Sequence, residues 1–226
     1  MTRERETVTG KDNRGPLILQ AAAPRAIEWA TETLVEGGVI AIPTDTVYGI
    51  AASIFSQPAI DRIYTIKGRD PSKSLPVLVS SLAALERLTE PLDVRTALLL
   101  DRFWPGPLTV VLPARPGLDE FLTAEDGTIG VRMPNHPLAL EIIDRSGGAI
   151  ACTSANRSGQ APACNAREVA AALGTDIDLT LDGGITTGGV PSTVVALRDD
   201  ALVVLREGAI TAAEIDAVWR EVAAID

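Results

Sequence analysis

Short runs of aliphatic and β-branched residues alternate with segments of helical periodicity along most of this chain. Each run is long enough for one strand, and each intervening segment is long enough for about one helix. Such alternation is typical of layered proteins in which helices cover a sheet. The predicted strands are 39–42, 77–79, 108–112, 128–132, 149–152 and 178–181.

The segments between these strands carry apolar residues three and four positions apart, and several begin at capping residues. Near the end, 192–197 and 201–206 predict a β-hairpin that turns at Asp199 and Asp200. We therefore expect an α/β (α+β) domain built around a mixed sheet. The predicted helices are 24–36, 58–66, 81–89, 93–103, 137–144, 165–173 and 211–223.

Length and composition favour one substantial domain. The chain has 226 residues, and 46% of them are hydrophobic, which is enough for a sizeable core. Residues 1–15 carry seven charges and almost no apolar periodicity, so they are predicted to be a flexible arm in front of a single domain, 16–226. No apolar run predicts a membrane span, and the charged start lacks the apolar core of a signal peptide. We therefore expect a cytoplasmic protein with no membrane segment.

Charge and residue usage exclude several classes of function. The formal net charge is −10, which counts against nucleic-acid binding by bulk electrostatics but allows a small anion site. One histidine, His136, and two cysteines, Cys152 and Cys164, predict neither a zinc site nor a disulfide framework, so no metal site is expected. His136 is interpreted as a turn or helix-start residue rather than as a general base. The sequence also lacks the common phosphate-loop, dinucleotide, zinc-protease and serine-hydrolase motifs.

Polar residues follow the first predicted strand in the stretch PTDTVYG, 43–49. A simple turn needs fewer polar groups than the two threonines, the aspartate and the tyrosine found here. They are interpreted either as a ligand site or, for Tyr48, as a cover for the edge of the core.

A second polar cluster, Lys67, Arg69 and Lys73, places three cations within seven residues of an acidic chain. Basic residues favour the last turn of a helix, so a solvated helix end is one interpretation. The other is a clamp for phosphate or carboxylate, in which Arg offers a planar fork and Lys a point charge. The surrounding Gly, Pro and Ser residues favour the clamp.

Three further stretches end in polar or glycine-rich loops. CTSAN, 152–156, is interpreted either as a capping turn or as a loop that receives phosphates. In TIGVR, Thr128 and Arg132 share one face of a strand, where Arg132 pairs with a carboxylate of the protein or of a ligand. The glycine-dense stretch 183–193 is interpreted as a flexible loop, with close approach of a ligand as the alternative.

Taken together, these stretches resemble the YrdC-like family of L-threonylcarbamoyladenylate synthases. The resemblance covers about residues 18–212. The stretches that carry it, in this order, are PTDTVYG, KGRDPSKSLP, WPGPLT, TIGVRMPNHP, the SAN of CTSAN, GVPSTVV and LREG. The family pattern KxR followed by SxN is met by Lys67, Arg69, Ser154 and Asn156.

The resemblance implies a three-layer domain with a twisted mixed sheet flanked by helices around a concave basic cavity. It also implies a nucleotidyltransferase that condenses L-threonine, bicarbonate or CO2, and ATP into threonylcarbamoyl-AMP and pyrophosphate, usually with Mg2+. The product serves N6-threonylcarbamoyladenosine formation at position 37 of tRNA. A separate tRNA threonylcarbamoyl transferase complex attaches the group, so tRNA binding is expected to be weak or indirect.

The resemblance also implies roles for individual residues. The catalytic motif consists of Lys67, Arg69, Ser154 and Asn156. L-threonine is received by Thr46, Arg132, the backbone at Cys152, and Ser192, while Thr44 and Tyr48 shape the same pocket. ATP is contacted by Arg69, Lys73, Thr128, Ser154, the backbone around Pro162, and Arg206.

The chain departs from some relatives at Leu78, where they have a histidine that contacts threonine, so this contact is lost or replaced here. The second domain of longer members is not expected, since the chain ends soon after LREG. One alternative function is an RNA-binding paralogue without synthase activity. Another is the carbamoyl-adenylate module of hydrogenase maturation proteins, which is disfavoured because the accompanying zinc-finger and acylphosphatase-like segments are missing.

Overall fold

The computed structural model describes residues 16–198 and 201–223. The strands are β1 Ile18–Gln20, β2 Ile40–Ile42, β3 Gly49–Ser53, β4 Val77–Val79, β5 Leu108–Pro113, β6 Thr128–Arg132, β7 Ala149–Ser154, β8 Leu179–Asp182, β9 Thr193–Arg198 and β10 Ala201–Arg206. The helices are α1 Ala26–Val35, α2 Gln57–Lys67, α3 Leu82–Leu85, α4 Val94–Phe103, α5 Pro137–Arg145, α6 Ala166–Leu173 and α7 Ala212–Ala223. Two short 3-10 helices span Glu120–Leu122 and Gly174–Asp176.

All of these strands belong to one ten-stranded sheet in the order β1-β8-β2-β3-β7-β4-β6-β5-β9-β10. Neighbours are parallel in β1–β8, β8–β2, β4–β6 and β5–β9, and antiparallel elsewhere. The predicted mixed sheet and the predicted β9–β10 hairpin are therefore confirmed. The predicted turn at Asp199 and Asp200 and the predicted arm, 1–15, lie outside the described residues.

Two apolar cores cover the sheet unequally. One core packs α2, α3, α4, α6 and α7 against one face. On the opposite face, α1 and α5 pack against β2, β3, β4, β7 and β8. Strands β5, β6, β9 and β10 contribute to the first core but not to the second. The second core therefore ends at β4, and the remaining strands on that face are free to form the floor of a site.

Local signals start and stop several helices as predicted. Ser56 begins α2 by accepting the N–H of Ala59 at 3.4 Å, and Gly68 ends it in a left-handed conformation. Asn165 begins α6 in the same way as Ser56, with Glu168 reaching back to the N–H of Cys164 at 2.7 Å. Most predicted helices are confirmed to within two residues.

The prediction of a helix over 81–89 is wrong, because α3 spans only Leu82–Leu85 and the chain then leaves the helix to form a bridge between Thr89 and Ala114. Strands β1 and β3 were not predicted. All five residues of β3 are buried, so the strand shows no alternation of polar and apolar residues. Within the described residues, no helix is long and apolar enough to cross a bilayer.

The fold contains two fully buried threonines with opposite environments. The hydroxyl of Thr180 in β8 has no hydrogen-bond partner among the described residues. The hydroxyl of Thr193 in β9 donates to the carbonyl of Ile210 and accepts the N–H groups of Gly208 and Ile210 at 2.9 and 3.0 Å. Thr193 thereby fixes the segment that follows β10.

We expect Thr193→Val to lower the free energy of unfolding by about 3 kcal/mol, because three buried backbone groups lose their partner. Thr180→Val should leave stability within about 1 kcal/mol of the natural protein or raise it, because an unsatisfied hydroxyl is replaced by a methyl group. Urea denaturation of both variants measures the contrast. Equal losses would contradict it.

Candidate active site

A cleft opens on the sheet face beyond α1 and α5. It is a partly open cleft with both polar and apolar lining residues. Strands β3 to β7 supply the floor, and the loop before β9 and the end of β10 supply a wall. The lining residues are Thr44, Thr46, Val47, Tyr48, Gly49, Pro76, Leu78, Thr109, Arg132, Cys152, Thr153, Ser154, Pro191, Ser192 and Arg206.

The PTDTVYG stretch forms the inner end of the cleft. The hydroxyl of Thr44 donates to the carbonyl of Val47 at 2.7 Å and lies 3.0 Å from the hydroxyl of Thr46. Since the proton of Thr44 is committed to Val47, Thr46 donates to Thr44. Thr46 also accepts from Arg132 at 3.0 Å. Its hydroxyl therefore keeps one acceptor position for a ligand.

Tyr48 ties this stretch to the glycine-rich loop. Its ring is buried in the first core, while its hydroxyl donates to Gly184 at 2.8 Å and accepts from the N–H of Gly183 at 3.1 Å. The carbonyl of Thr46 accepts the N–H of Gly189 at 2.8 Å. Tyr48 therefore covers the edge of the core and also lines the cleft, and its part in a ligand site stays a prediction.

Arg132, at the end of β6, is buried and fully engaged on one side. Its Nε donates to the carbonyl of Gly106 at 2.9 Å, its Nη1 to Thr46, and its Nη2 to Asp45 at 2.5 Å. Burial lowers the pKa of Arg132, and the carboxylate of Asp45 opposes that shift. Arg132 thus pairs with a protein carboxylate, and each terminal nitrogen keeps one N–H with no partner among the described residues.

Lys67 is buried at the end of α2, so the solvated helix end does not apply to it. Its ammonium donates to the carbonyls of Ser154 and Asn156 and lies 3.3 Å from the side-chain oxygen of Asn156. The amide of Asn156 donates to Arg157 and Gln160 at 2.9 and 2.8 Å. Burial, and after it repulsion from Arg69, lowers the pKa of Lys67 to about 8. Lys67 and Asn156 thus shape the loop after β7 and are not among the residues that line the cleft.

Arg69 and Lys73 lie in the loop after α2. Arg69 donates to the carbonyls of Lys73 and Ser74, both at 3.1 Å, and Tyr64 donates to the same Lys73 carbonyl at 3.1 Å. The side chain of Lys73 is exposed. Arg206 donates to the carbonyl of Ser192 at 2.7 Å. Partial desolvation lowers the pKa of Arg206, and repulsion from the guanidinium of Arg69 adds to the shift because the two groups are close enough to interact electrostatically.

Three further predicted site residues, Cys152, Ser154 and Ser192, line the cleft. Ser192 lines the cleft and lies 2.9 Å from the hydroxyl of Thr109. Burial raises the pKa of the Cys152 thiol to about 12, and its N–H is taken by the carbonyl of Pro76. The hydroxyl of Ser154 faces the cleft and has no partner among the described residues.

Arg69, Lys73, Thr128 and Pro162 do not line the cleft. Thr128 begins β6 and bonds Asp126 at 2.6 Å, at the other end of the strand from Arg132. Pro162 precedes Ala163, whose carbonyl accepts the N–H of Tyr48 at 2.9 Å.

Sequence reasoning included Asp45 only as one of the polar residues of PTDTVYG and gave no role to Thr109, although both contact predicted site residues. Asp45 lies inside PTDTVYG and Thr109 inside WPGPLT, so their signal was membership of these motifs. In the described part of the chain, no group of three or more His, Cys, Asp or Glu side chains is arranged to hold a metal ion.

Known proteins are similar to this chain over most of its length. A model of the Sua5/YciO/YrdC domain, described as telomere recombination, matches residues 32–208. The threonylcarbamoyl-AMP synthase of Bacillus subtilis (strain 168) is 43% identical over 204 residues, which are 90% of this chain and 56% of that protein. The threonylcarbamoyl-AMP synthase of Pyrococcus abyssi is 39% identical over 187 residues, which are 83% of this chain and 55% of that protein. The crystal structure of P. abyssi Sua5 complexed with L-threonine has a TM-score of 0.83 at 36% identity, and the match covers 89% of this chain and 60% of that one.

The fold and the cleft define an α/β protein with a polar cleft where the helical cover of one face of a mixed sheet ends. The extent of these matches shows that the chain belongs to the Sua5/YciO/YrdC family. The chain spans little more than half the length of the two curated relatives.

His136 begins α5 beside the cleft, as predicted, and its Nδ1 accepts the N–H of Ala139 at 3.4 Å. This contact requires the neutral ring. Burial lowers the pKa of His136 below its usual 6.5, and the charge of Asp45 opposes the shift.

We expect the free energy of unfolding to fall as the pH drops from about 7.5 to about 5.5, because the unfolded chain binds the imidazole proton more tightly than the folded protein. The contribution is complete above the unfolded pKa and is lost towards the lower, folded pKa. His136→Asn keeps a capping side chain and removes the titration, so its profile should be flatter. Denaturant titrations of both proteins across this range provide the measurement, and equally steep profiles would exclude His136 as the cause.

Proposed function

We propose that the protein is an L-threonylcarbamoyladenylate synthase, a nucleotidyltransferase that condenses L-threonine, bicarbonate or CO2, and ATP into threonylcarbamoyl-AMP and pyrophosphate. Two relatives named threonylcarbamoyl-AMP synthase and a family structure complexed with L-threonine support this proposal. The product would serve the modification of adenosine 37 in tRNA through a separate transferase complex, with weak or indirect tRNA contact. Such an activity would act in the cytoplasm.

The observation that carries the proposal is a group of cations in and beside one cleft of a chain with net charge −10. Arg132 and Arg206 line the cleft, whereas Lys67 and Arg69 bond carbonyls of the neighbouring loops. Arg69 repels both Lys67 and Arg206. Arg206 in turn repels Arg132. Because an anion between like charges relieves their repulsion, the site favours ligands with several negative charges. ATP and a threonine carbamate are such ligands.

The inner end of the cleft suits the amino acid. Thr46 would accept an N–H from threonine at its remaining acceptor position, and the two remaining N–H groups of Arg132 would donate to the carboxylate. Ser192 would contact the substrate hydroxyl. The backbone N–H of Cys152 already donates to the carbonyl of Pro76, so Cys152 would contact the substrate through its side chain, as part of the wall. Leu78, where some relatives have histidine, would replace a polar contact by an apolar one to the substrate methyl group.

The outer part of the cleft suits ATP. We assign the phosphates to Arg69, Lys73 and Arg206, with the hydroxyl of Ser154 as a further donor. Thr128 and the backbone around Pro162 lie outside the cleft lining, so they would contact the distal part of the nucleotide. Lys67 and Asn156 would act by fixing the loop that presents Ser154.

In the proposed reaction a carbamate oxygen of N-carboxythreonine attacks the α-phosphorus of ATP. A new P–O bond forms, and the bond to the oxygen bridging the α- and β-phosphates breaks, which releases pyrophosphate. Once the carbamate exists, this displacement needs no proton acceptor. The side chains must align two anions and stabilise the departing charge, which cations and hydroxyl groups can do.

Mg2+ is expected to accompany ATP. The cleft lining includes no carboxylate, although protein sites for Mg2+ use carboxylates together with substrate phosphates. The described residues therefore do not fit a Mg2+ site of the chain's own, and the ion would be held by the phosphates.

The RNA-binding alternative is not favoured. RNA binding would be supported by an extended track of basic residues on the surface, whereas the cations described above lie in and beside one cleft of an acidic chain.

We expect purified protein to release pyrophosphate from ATP only when threonine and bicarbonate are both present, without added tRNA. Omitting bicarbonate should abolish release, because the carbamate must form before it attacks. Release in CO2-free buffer with threonine alone would indicate direct aminoacyl-adenylate formation. No release under any combination, together with tight RNA binding at physiological salt, would replace this proposal by the RNA-binding one.

Arg69→Ala should lower kcat/KM for ATP by at least about 30-fold, or about 2 kcal/mol, because a charge-assisted contact to the developing anion is lost. Arg62→Ala is the matched control, since Arg62 lies on the preceding helix α2 and pairs with Asp178 at 2.8 Å on the surface. Initial rates of pyrophosphate release over a range of ATP concentrations give both values. Unchanged kcat/KM in the Arg69 variant would remove this residue from the site.

A further inference from the structure

Arg132 is held by a carboxylate that lies outside the cleft. The Asp45–Arg132 ion pair is 2.5 Å long, and the two side chains are 14% and 7% exposed. Arg132 lines the cleft, whereas Asp45 does not. Asp45 can therefore influence a ligand in two ways only, through its charge or through the orientation of Arg132.

The contacts of Arg132 favour orientation. Each of its three guanidinium nitrogens donates one hydrogen bond, to Gly106, Thr46 and Asp45 in turn. A planar group bonded at all three nitrogens cannot rotate without breaking a bond. All three bonds have the charged guanidinium as donor, but only the Asp45 bond also joins opposite charges, so it is the strongest of the three.

The backbone that carries Asp45 is itself fixed. A Cβ atom at Gly188 would lie 2.6 Å from the carbonyl oxygen of Asp45, so the glycine-rich loop packs directly on this backbone. The next residue, Gly189, donates to the carbonyl of Thr46 at 2.8 Å. Asp45 therefore presents its carboxylate from a rigid base.

We propose that Asp45 is a positioning residue, which holds the guanidinium of Arg132 so that its remaining N–H groups face an anionic ligand in the cleft. The inference rests on the proposed function in naming that ligand as the carboxylate of L-threonine. ATP, assigned to the outer part of the cleft, should not depend on Asp45.

Loss of the carboxylate has two opposite effects on an anionic ligand. It removes a negative charge near the site, which strengthens binding, and it frees the guanidinium, which weakens binding. Asp45→Asn and Asp45→Ala both remove the charge, but Asn keeps an acceptor oxygen at the same distance. The comparison between these two variants therefore isolates orientation.

We expect calorimetric titration to show that threonine binds Asp45→Asn at least about ten-fold more tightly than Asp45→Ala, while ATP binds the two variants within about two-fold of each other. Asp45→Leu is branched at Cγ like Asn, although it is larger, and it has no acceptor, so it is a second acceptor-free variant if the alanine protein does not fold. Circular dichroism identifies the folded variants. Equal threonine affinity in Asp45→Asn and a folded acceptor-free variant would overturn the inference.

The exposed pair of Glu141 and Arg145, 2.6 Å apart on α5, supplies the control. Glu141→Gln and Glu141→Ala should bind threonine equally. Binding is measured without turnover, so the inference and the proposed function can fail separately. A natural protein that binds threonine but releases no pyrophosphate would contradict only the function. Normal release by the natural protein, with no difference between the Asp45 variants, would contradict only the positioning role.

Discussion

The hydrogen bonds of Tyr48 join segments that are distant in the sequence but form neighbouring walls of the cleft. Its N–H donates to Ala163 and its carbonyl accepts from Ala155, at 2.9 and 2.8 Å. Its hydroxyl holds Gly183 and Gly184, while its ring packs in the core. Because a buried polar group without a partner is costly, these walls cannot separate from the PTDTVYG stretch without a large loss of stability. The backbone and the side chain of Tyr48 together therefore fix three segments beside the cleft.

The position of the cleft follows from how the sheet is covered. Helices α1 and α5 bury the face of five strands and stop at β4, so the strands beyond it present polar side chains on that side. Gly49 shows how tightly the floor is built, since a Cβ atom there would lie 2.5 Å from the sulfur of Cys152. Side chains as small as these bring a ligand close to the strand backbone. The cleft thus lies where the cover of α1 and α5 ends, and its floor runs from covered strands to the uncovered strands β6 and β5.

The sequence predicted elements whose signals are local. Most helices have caps and periodic apolar residues, and most strands have β-branched runs, so they were found. The five residues of β3, GIAAS, are small and wholly buried, and only its neighbours β2 and β7 reveal it as a strand. The sequence motifs indicated which residues are candidates for the site, but they did not indicate the hydrogen-bond partners of those residues. Arg132 pairs with Asp45 across 87 positions, and Lys67 bonds carbonyls near position 155, contacts that only the fold creates.

Carboxylates hold some cations of the protein, among them Arg132 in the cleft, and backbone carbonyls hold others. Arg62, Arg145 and Arg157 pair with carboxylates on the surface. Backbone carbonyls instead hold Lys67, Arg69 and Arg206. Lys67 donates to the carbonyls of Ser154 and Asn156, Arg69 to those of Lys73 and Ser74, and Arg206 to that of Ser192. A carbonyl orients a cation without cancelling its net charge, so the repulsion among these groups persists until an anion enters. An anion bound as proposed would bind the folded state and stabilise it, so anion binding at the cleft would be linked to the stability of the fold.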